Sequence, residues 1–146
     1  MQARELMTPE PAFCTPHTTL VDVARMLRDR DCGALPVIDE KNIGKELVGI
    51  ITDRDIVIRS VADGADPAAM LAGQCMSMVV ATVPADASLE ACAHVMEEHQ
   101  VRRVPVIDTQ GNCCGIVSQA DLARHGRLRD VGEVVREVSQ PAGTPT

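Results

Sequence analysis

The chain has 146 residues, enough for one compact domain or two small subdomains sharing a core. Its formal net charge is −7, with 8 basic and 12 acidic side chains in residues 1–69 and 6 and 9 in residues 70–146, so no basic stripe marks a duplex nucleic-acid surface. Without Trp or Tyr, and with Phe13 as its one Phe, it lacks platforms for stacking single-stranded bases, and no run approaches the roughly 20 apolar residues of a membrane span.

The polar start MQARELMTPEP has no signal-peptide core, so a cytoplasmic protein with reduced thiols is expected. Of its six cysteines, Cys14, Cys32 and Cys92 sit in apolar patterns and read as small core residues. The lead-in Glu5-Leu6-Met7-Thr8 is followed by Cys14-Thr15-Pro16. Thr19 then stands as an N-cap before a helix whose apolar face is Leu20, Val23, Ala24 and Leu27, at i, i+3, i+4 and i+7. Residues 34–38 and 47–51 read as two strands joined by a turn over 39–46. Pro36 lacks a ladder N–H, which predicts an edge or irregular strand at that point. A helix over about residues 54–62 follows, and Gly64 to Pro67 punctuate the chain.

The same order then recurs, and a repeat constrains the architecture before any single element does. Gln74-Cys75-Met76-Ser77 is a second lead-in, and Thr82-Val83-Pro84 answers Cys14-Thr15-Pro16. Ser88 caps a helix with Leu89, Cys92, Ala93 and Met96 on one face. Strands over 104–107 and 114–117 flank a turn at 108–112, with Pro105 in the place of Pro36. A helix over 120–125 closes the copy; a last amphipathic helix is expected over 131–138, with a frayed end after it. The expected organisation is a first repeat over 1–66, a second over 67–130, and a C-terminal helix and flexible tail over 131–146. A copy of around 60 residues makes a marginal core alone, so the two are expected to pair about a pseudo-two-fold, leaving clefts at their interface.

Chemistry concentrates in a duplicated motif, Gly-h-h-[Thr/Ser]-x-x-Asp with h apolar: Gly49/Thr52/Asp55 and Gly115/Ser118/Asp121. Each falls where a strand gives way to a helix, where free N–H groups favour an anion. The carboxylate comes one turn later on nearly the same face. A carboxylate accepts from neighbouring hydroxyls, and a hydroxyl with free amides meets a phosphate; together they match the polar part of a ribonucleotide. The plain alternatives are first-turn acids for Asp55 and Asp121, N-caps for Thr52 and Ser118, and a solvated edge for Arg102 and Arg103. Cys113-Cys114 reads as inert thiols rather than a redox pair, the scattered histidines as surface residues, and no catalytic or metal-ligand constellation is visible.

The repeated Met-Thr/Met-Ser lead-in, the two PVID strands and the paired motifs resemble a tandem pair of CBS domains, a Bateman module, over residues 3–126. The resemblance implies an α+β fold of two β-α-β-β-α repeats and an adenosine-containing ligand such as AMP, ADP, ATP or S-adenosylmethionine. It implies that Asp55 and Asp121 hold ribose hydroxyls and that Thr52 and Ser118 contact ribose or phosphate. Ile50 and Ile116 would pack on the ligand, Cys32, Gly33, Val101 and Arg102 would line the clefts, and segments 12–14 and 80–82 would meet the base. Relatives that bind AMP, such as the γ subunit of the AMP-activated kinase, carry basic residues where Arg102 and Arg103 stand. The first copy has Gly33 and Ala34 there, so the Ser118/Asp121 cleft is expected to be the better phosphate site. The function this implies is a stand-alone regulatory module without enzymatic activity. It would signal through a homodimer or an unknown target protein, without nucleic acid or membrane. The alternatives are a ligand-free assembly module and a thiol-based sensor built on Cys113-Cys114.

Overall fold

The computed structural model describes residues 1–9, 11–39, 41, 44, 46–79, 81–125 and 128–140, and for residues 128–131 and 133 the backbone alone. In chain order the elements are α1 (Ala3–Leu6), β1 (Thr8–Pro9), α2 (Leu20–Arg30), β2 (Ala34–Ile38), β3 (Leu47–Thr52) and α3 (Asp53–Ile56). A π-turn at Val57–Val61 and a 3₁₀ turn at Pro67–Ala69 lead to α4 (Ala72–Cys75), β4 (Val83–Pro84), α5 (Leu89–His99), β5 (Arg103–Ile107), β6 (Cys113–Ser118), α6 (Gln119–His125) and α7 (Leu128–Val138). The mixture of helices and strands is the α+β class that the resemblance implied.

Helices α2 and α5 start where their caps predict. Thr19 Oγ1 accepts the Asp22 N–H at 3.2 Å, and Ser88 Oγ accepts the Ala91 N–H at 3.1 Å. Both end at a left-handed residue, Asp31 (φ 49°) and Gln100 (φ 53°), after which the Cys32 and Val101 N–H groups close back on the Leu27 and Met96 carbonyls at 3.1 and 3.0 Å. That closure overturns one expectation: it places Cys32 at the exposed end of the turn, outside the core, whereas Cys14 and Cys92 are buried.

The chain forms two compact units that cut across the sequence repeats. The terminal unit comprises Met1–Glu10, Val80–Gln110 and Cys114–Thr146; the central unit comprises Pro11–Val79 with Gly111–Cys113. In the terminal unit the sheet order is β1-β6-β5-β4, with β1 antiparallel to β6 and β4 parallel to β5. Ala3 and Leu6 of the N-terminal lead-in share a core with Leu89, Cys92, Met96, Val104, Val106, Val117 and Leu122. Backbone bonds from Ala3 to Ala87 (2.7 Å) and Arg4 to Ala85 (3.0 Å) fasten that lead-in to the second copy. The central unit does the converse. Ala72 and Cys75 of the second lead-in share a core with Leu20, Val23, Leu27, Leu35, Val37 and Ile51 of the first copy. The lead-ins are exchanged: each copy's apolar helix stripe and sheet face are covered by the other copy's first turn.

Pro36 and Pro105 sit at matching places with different neighbours. Beside β2, opposite its partner β3, runs a single bridge from Cys14, whose N–H uses the Pro36 carbonyl at 3.1 Å, so the missing N–H leaves no ladder bond broken. Pro105 lies on β5, an interior strand rather than an edge, but its parallel neighbour β4 is two residues long and pairs from Val106 onward. The helix expected at residues 54–62 begins one residue earlier and widens into the π-turn. The buried Ser60 hydroxyl bonds the Ile56 carbonyl, and the Ala62 N–H reaches Val57 at 2.9 Å.

Candidate functional site

In the central unit Thr52 ends β3 and begins α3. Its hydroxyl accepts the Asp55 N–H at 3.0 Å, while Asp55 Oδ2 accepts the Thr52 N–H at 3.1 Å, a reciprocal capping box. Asp55 Oδ1 turns the other way and accepts the Ser77 hydroxyl at 3.0 Å. The Asp53 N–H bonds the Gly33 carbonyl at 3.2 Å, and Ala34, the first residue of β2, pairs directly opposite Thr52, so Gly33 and Ala34 meet the motif. Ile50 is bridged to Ser77, and beyond it the Arg59 guanidinium donates to the Met76 carbonyl at 2.8 Å.

Gly49 explains its own place in the motif. A Cβ there would lie 2.7 Å from Met76 Sδ and 3.0 Å from the Ser77 carbonyl oxygen. The lead-in backbone crosses the strand at that point, and only a residue without a side chain lets it pass. Gly115 plays the same part under Met7 and Thr8, where a Cβ would lie 2.9 Å from the Thr8 oxygen.

The terminal unit repeats the box with one change. Asp121 Oδ2 accepts both the N–H (2.8 Å) and the hydroxyl (3.0 Å) of Ser118, and Ser118 Oγ accepts the Asp121 N–H at 3.2 Å. The Gln119 N–H bonds the Arg102 carbonyl at 2.8 Å, which brings Arg102 beside the motif through the backbone, and Ile116 pairs with Thr8; the Val101 N–H is used by the Met96 carbonyl. Asp121 is buried, with 3% exposure, and its Oδ1 accepts a hydrogen bond from the Arg124 guanidinium. Among the described residues the cation paired with Asp121 is therefore Arg124, not the exposed Arg102 or the half-buried Arg103.

Sequence reasoning missed Ser77 and Arg124 as partners of the two carboxylates. Ser77 was visible in the Met-Thr/Met-Ser repetition, which marks an exchange contact as well as a lead-in. Arg124 was visible as a basic residue three after an acid on a helix, a spacing at which side chains meet. Residue 80, expected with 81–82 to meet the base, lies outside the described residues.

Four of the six thiols are held in their protonated form by their surroundings. Burial pushes the Cys14 thiol up to about 11, and burial is also the main cause that raises Cys75, Cys92 and Cys114. Cys113 and Cys114 are neighbours on a strand, so their side chains point to opposite faces. Among the described residues no group of three or more His, Cys, Asp or Glu side chains is arranged to hold a metal, and no helix is long and apolar enough to cross a membrane. An open groove of about 360 Å³ between α5 and α7 is lined by His94, Glu97, Glu98, Arg136 and Glu137 and shares no residue with either motif.

Comparison with known proteins identifies the family and the fold. The CBS domain family matches twice, at residues 3–61 and 72–127. Hypoxic response protein 1 of Mycobacterium tuberculosis is 40% identical over 139 residues, 95% of this chain and 94% of that protein. A crystal structure of Hypoxic Response Protein I with two coordinated zinc ions superimposes with a TM-score of 0.75 at 42% identity, covering 87% of this chain and 100% of that one. The CBS-pair protein CBSX2 of Arabidopsis thaliana, in complex with AMP, shares the fold with a TM-score of 0.70 at 23% identity, covering 84% of this chain and 94% of that one.

Proposed function

The chain belongs to the CBS-domain family, and from that premise we propose that it is a regulatory module that binds an adenosine-containing ligand at its Thr52/Asp55 and Ser118/Asp121 motifs. The duplicated hydroxyl–carboxylate pair carries the reading. In each copy one carboxylate oxygen is fixed by the capping box, which orients the other oxygen toward partners outside the box. That outer oxygen, held by a neutral hydroxyl at Asp55 and by a guanidinium at Asp121, is the acceptor a ribose cis-diol requires. Ile50 and Ile116, both half-buried beside the lead-ins, supply the apolar contact, and Cys32, Gly33, Val101, Arg102 and Arg103 line the approach. AMP, present in the CBSX2 complex, is the first compound to test; ADP, ATP and S-adenosylmethionine follow.

A ligand that draws on both hydroxyl and carboxylate stabilises one arrangement of the chain over others, and the change in population is the signal passed to a second copy or a target protein. Isothermal titration of the full chain with these four compounds tests the proposal. Binding that Asp55→Ala and Asp121→Ala each diminish supports it; no heat from any of the four ends it.

A second reading has its own observation. Val57, Ile58 and Val61 on the turn after α3 are 57%, 42% and 58% exposed, an apolar surface suited to homodimerisation without ligand. That reading gains if nucleotides leave the thermal midpoint unmoved while sedimentation shows an intact dimer.

A further inference from the structure

The two motifs differ in what holds the outer oxygen of the aspartate. At Asp55 it is the neutral Ser77 hydroxyl, and the residue three beyond is Ile58. At Asp121 it is the Arg124 guanidinium, three residues beyond on α6. The Asp121 side chain is 4% exposed, whereas Arg124 is 65% exposed and lies over it.

A ligand hydroxyl that reaches Asp121 competes with this guanidinium for the outer oxygen. A neutral nucleoside offers the carboxylate replacement donors but leaves Arg124 without its anion. A nucleotide offers both, because its phosphate accepts the guanidinium that its ribose displaces. Arginine suits that transfer: its planar fork matches carboxylate and phosphate alike, and its charge persists at any physiological pH.

We propose that Arg124 is the specificity residue of the Ser118/Asp121 motif. It locks the carboxylate in the free chain and passes to the ligand phosphate on binding, so this motif selects nucleotides over nucleosides. The Asp55 motif has no such lock and accepts both. The inference rests on the adenosine-binding reading above and assigns to Arg124 the discrimination that sequence alone assigned to Arg102 and Arg103.

The test is titration of the full chain with AMP and with adenosine, in an Asp55→Ala background that isolates the terminal-unit motif. Replacing Arg124 by Ala is expected to weaken AMP and to tighten adenosine, narrowing their affinity ratio about tenfold, the scale of one charge-assisted hydrogen bond. Arg124→Lys, which keeps the charge, restores most of the ratio. If Arg124→Ala does not fold, Arg124→Gln is measured in its place, with the thermal midpoint of each variant recorded. An adenosine affinity unchanged within about twofold, or AMP and adenosine weakened alike, overturns the inference while leaving adenosine binding itself intact. A parent chain that binds neither AMP nor adenosine overturns both.

Discussion

Replacing Gly49 with alanine tests whether the exchanged lead-in is what the motif glycine serves. The new Cβ would come within 2.7 Å of Met76 Sδ and 3.0 Å of the Ser77 carbonyl oxygen. The thioether end of Met76 can swing aside at small cost, but the carbonyl belongs to backbone held on both sides. The Ile50 N–H donates to that oxygen at 3.0 Å, and the Ser77 N–H returns a bond to the Ile50 carbonyl at 2.8 Å. Relief by a few tenths of an ångström lengthens both and pulls Ser77 away from Asp55. Overpacking costs about 1–3 kcal/mol and each weakened backbone bond up to about 1, so a loss of about 3 kcal/mol is expected. Urea unfolding reads this as a lower midpoint with an unchanged slope. Adding Met76→Ala to Gly49→Ala should return only the part due to the thioether, because the carbonyl contact remains. A Gly49→Ala chain whose unfolding free energy stays within about 0.5 kcal/mol of the parent would mean that the Ser77 carbonyl does not constrain residue 49.

Thr19→Ala and Ser88→Ala each remove one cap bond from an eleven-residue helix and should each cost about 1 kcal/mol in the same unfolding assay. Gly132→Ala should do the opposite: it lies inside α7 with open space where the Cβ would stand, and helix propensity alone stabilises it by up to about 1 kcal/mol. Alkylation at neutral pH followed by mass spectrometry should mark the exposed Cys32 first and the buried Cys14 only after unfolding. Cys14 also sets a sign for alkaline pH. Its thiol titrates at about 11 when folded against 9.0 ordinarily, so above pH 9 the unfolded chain releases a proton that the folded chain keeps. Stability should therefore fall from pH 9 towards 11, and Cys14→Ala should flatten that decline.

Features written in local chemistry were legible before any coordinates. Thr19 and Ser88 cap their helices because the cap needs only one oxygen and an N–H three residues on. The span of β2 follows from the apolar run between Gly33 and Asp39. What the sequence left open depends on which copy a segment packs against. Similarity between Met7-Thr8 and Met76-Ser77 shows that the two lead-ins do the same job, but it is silent on whose strand each crosses. The exchange, the need for Gly49 and Gly115, and the Ser77–Asp55 bond are all consequences of that one long-range choice. Cys32 was misplaced for a different reason: apolar periodicity was carried past Asp31, where a left-handed residue ends the helix and turns the chain outward.

First-turn acid and ligand acceptor were the two readings of Asp55 and Asp121, and the capping geometry leaves room for both. A carboxylate has two oxygens, and the capping box consumes one. Fixing that oxygen orients the second, so the cap is a way of presenting an acceptor rather than an alternative to presenting one. The copies then diverge only in the outer partner. A hydroxyl such as Ser77 can donate elsewhere when a ribose arrives, with little change in charge. A guanidinium cannot leave a buried carboxylate so lightly, unless the arriving molecule brings an anion of its own. The contrast between Arg102-Arg103 and Gly33-Ala34 pointed to unequal copies. The contrast between Arg124 and Ser77 acts directly on the carboxylates, which is why ligand selection is proposed to rest on it.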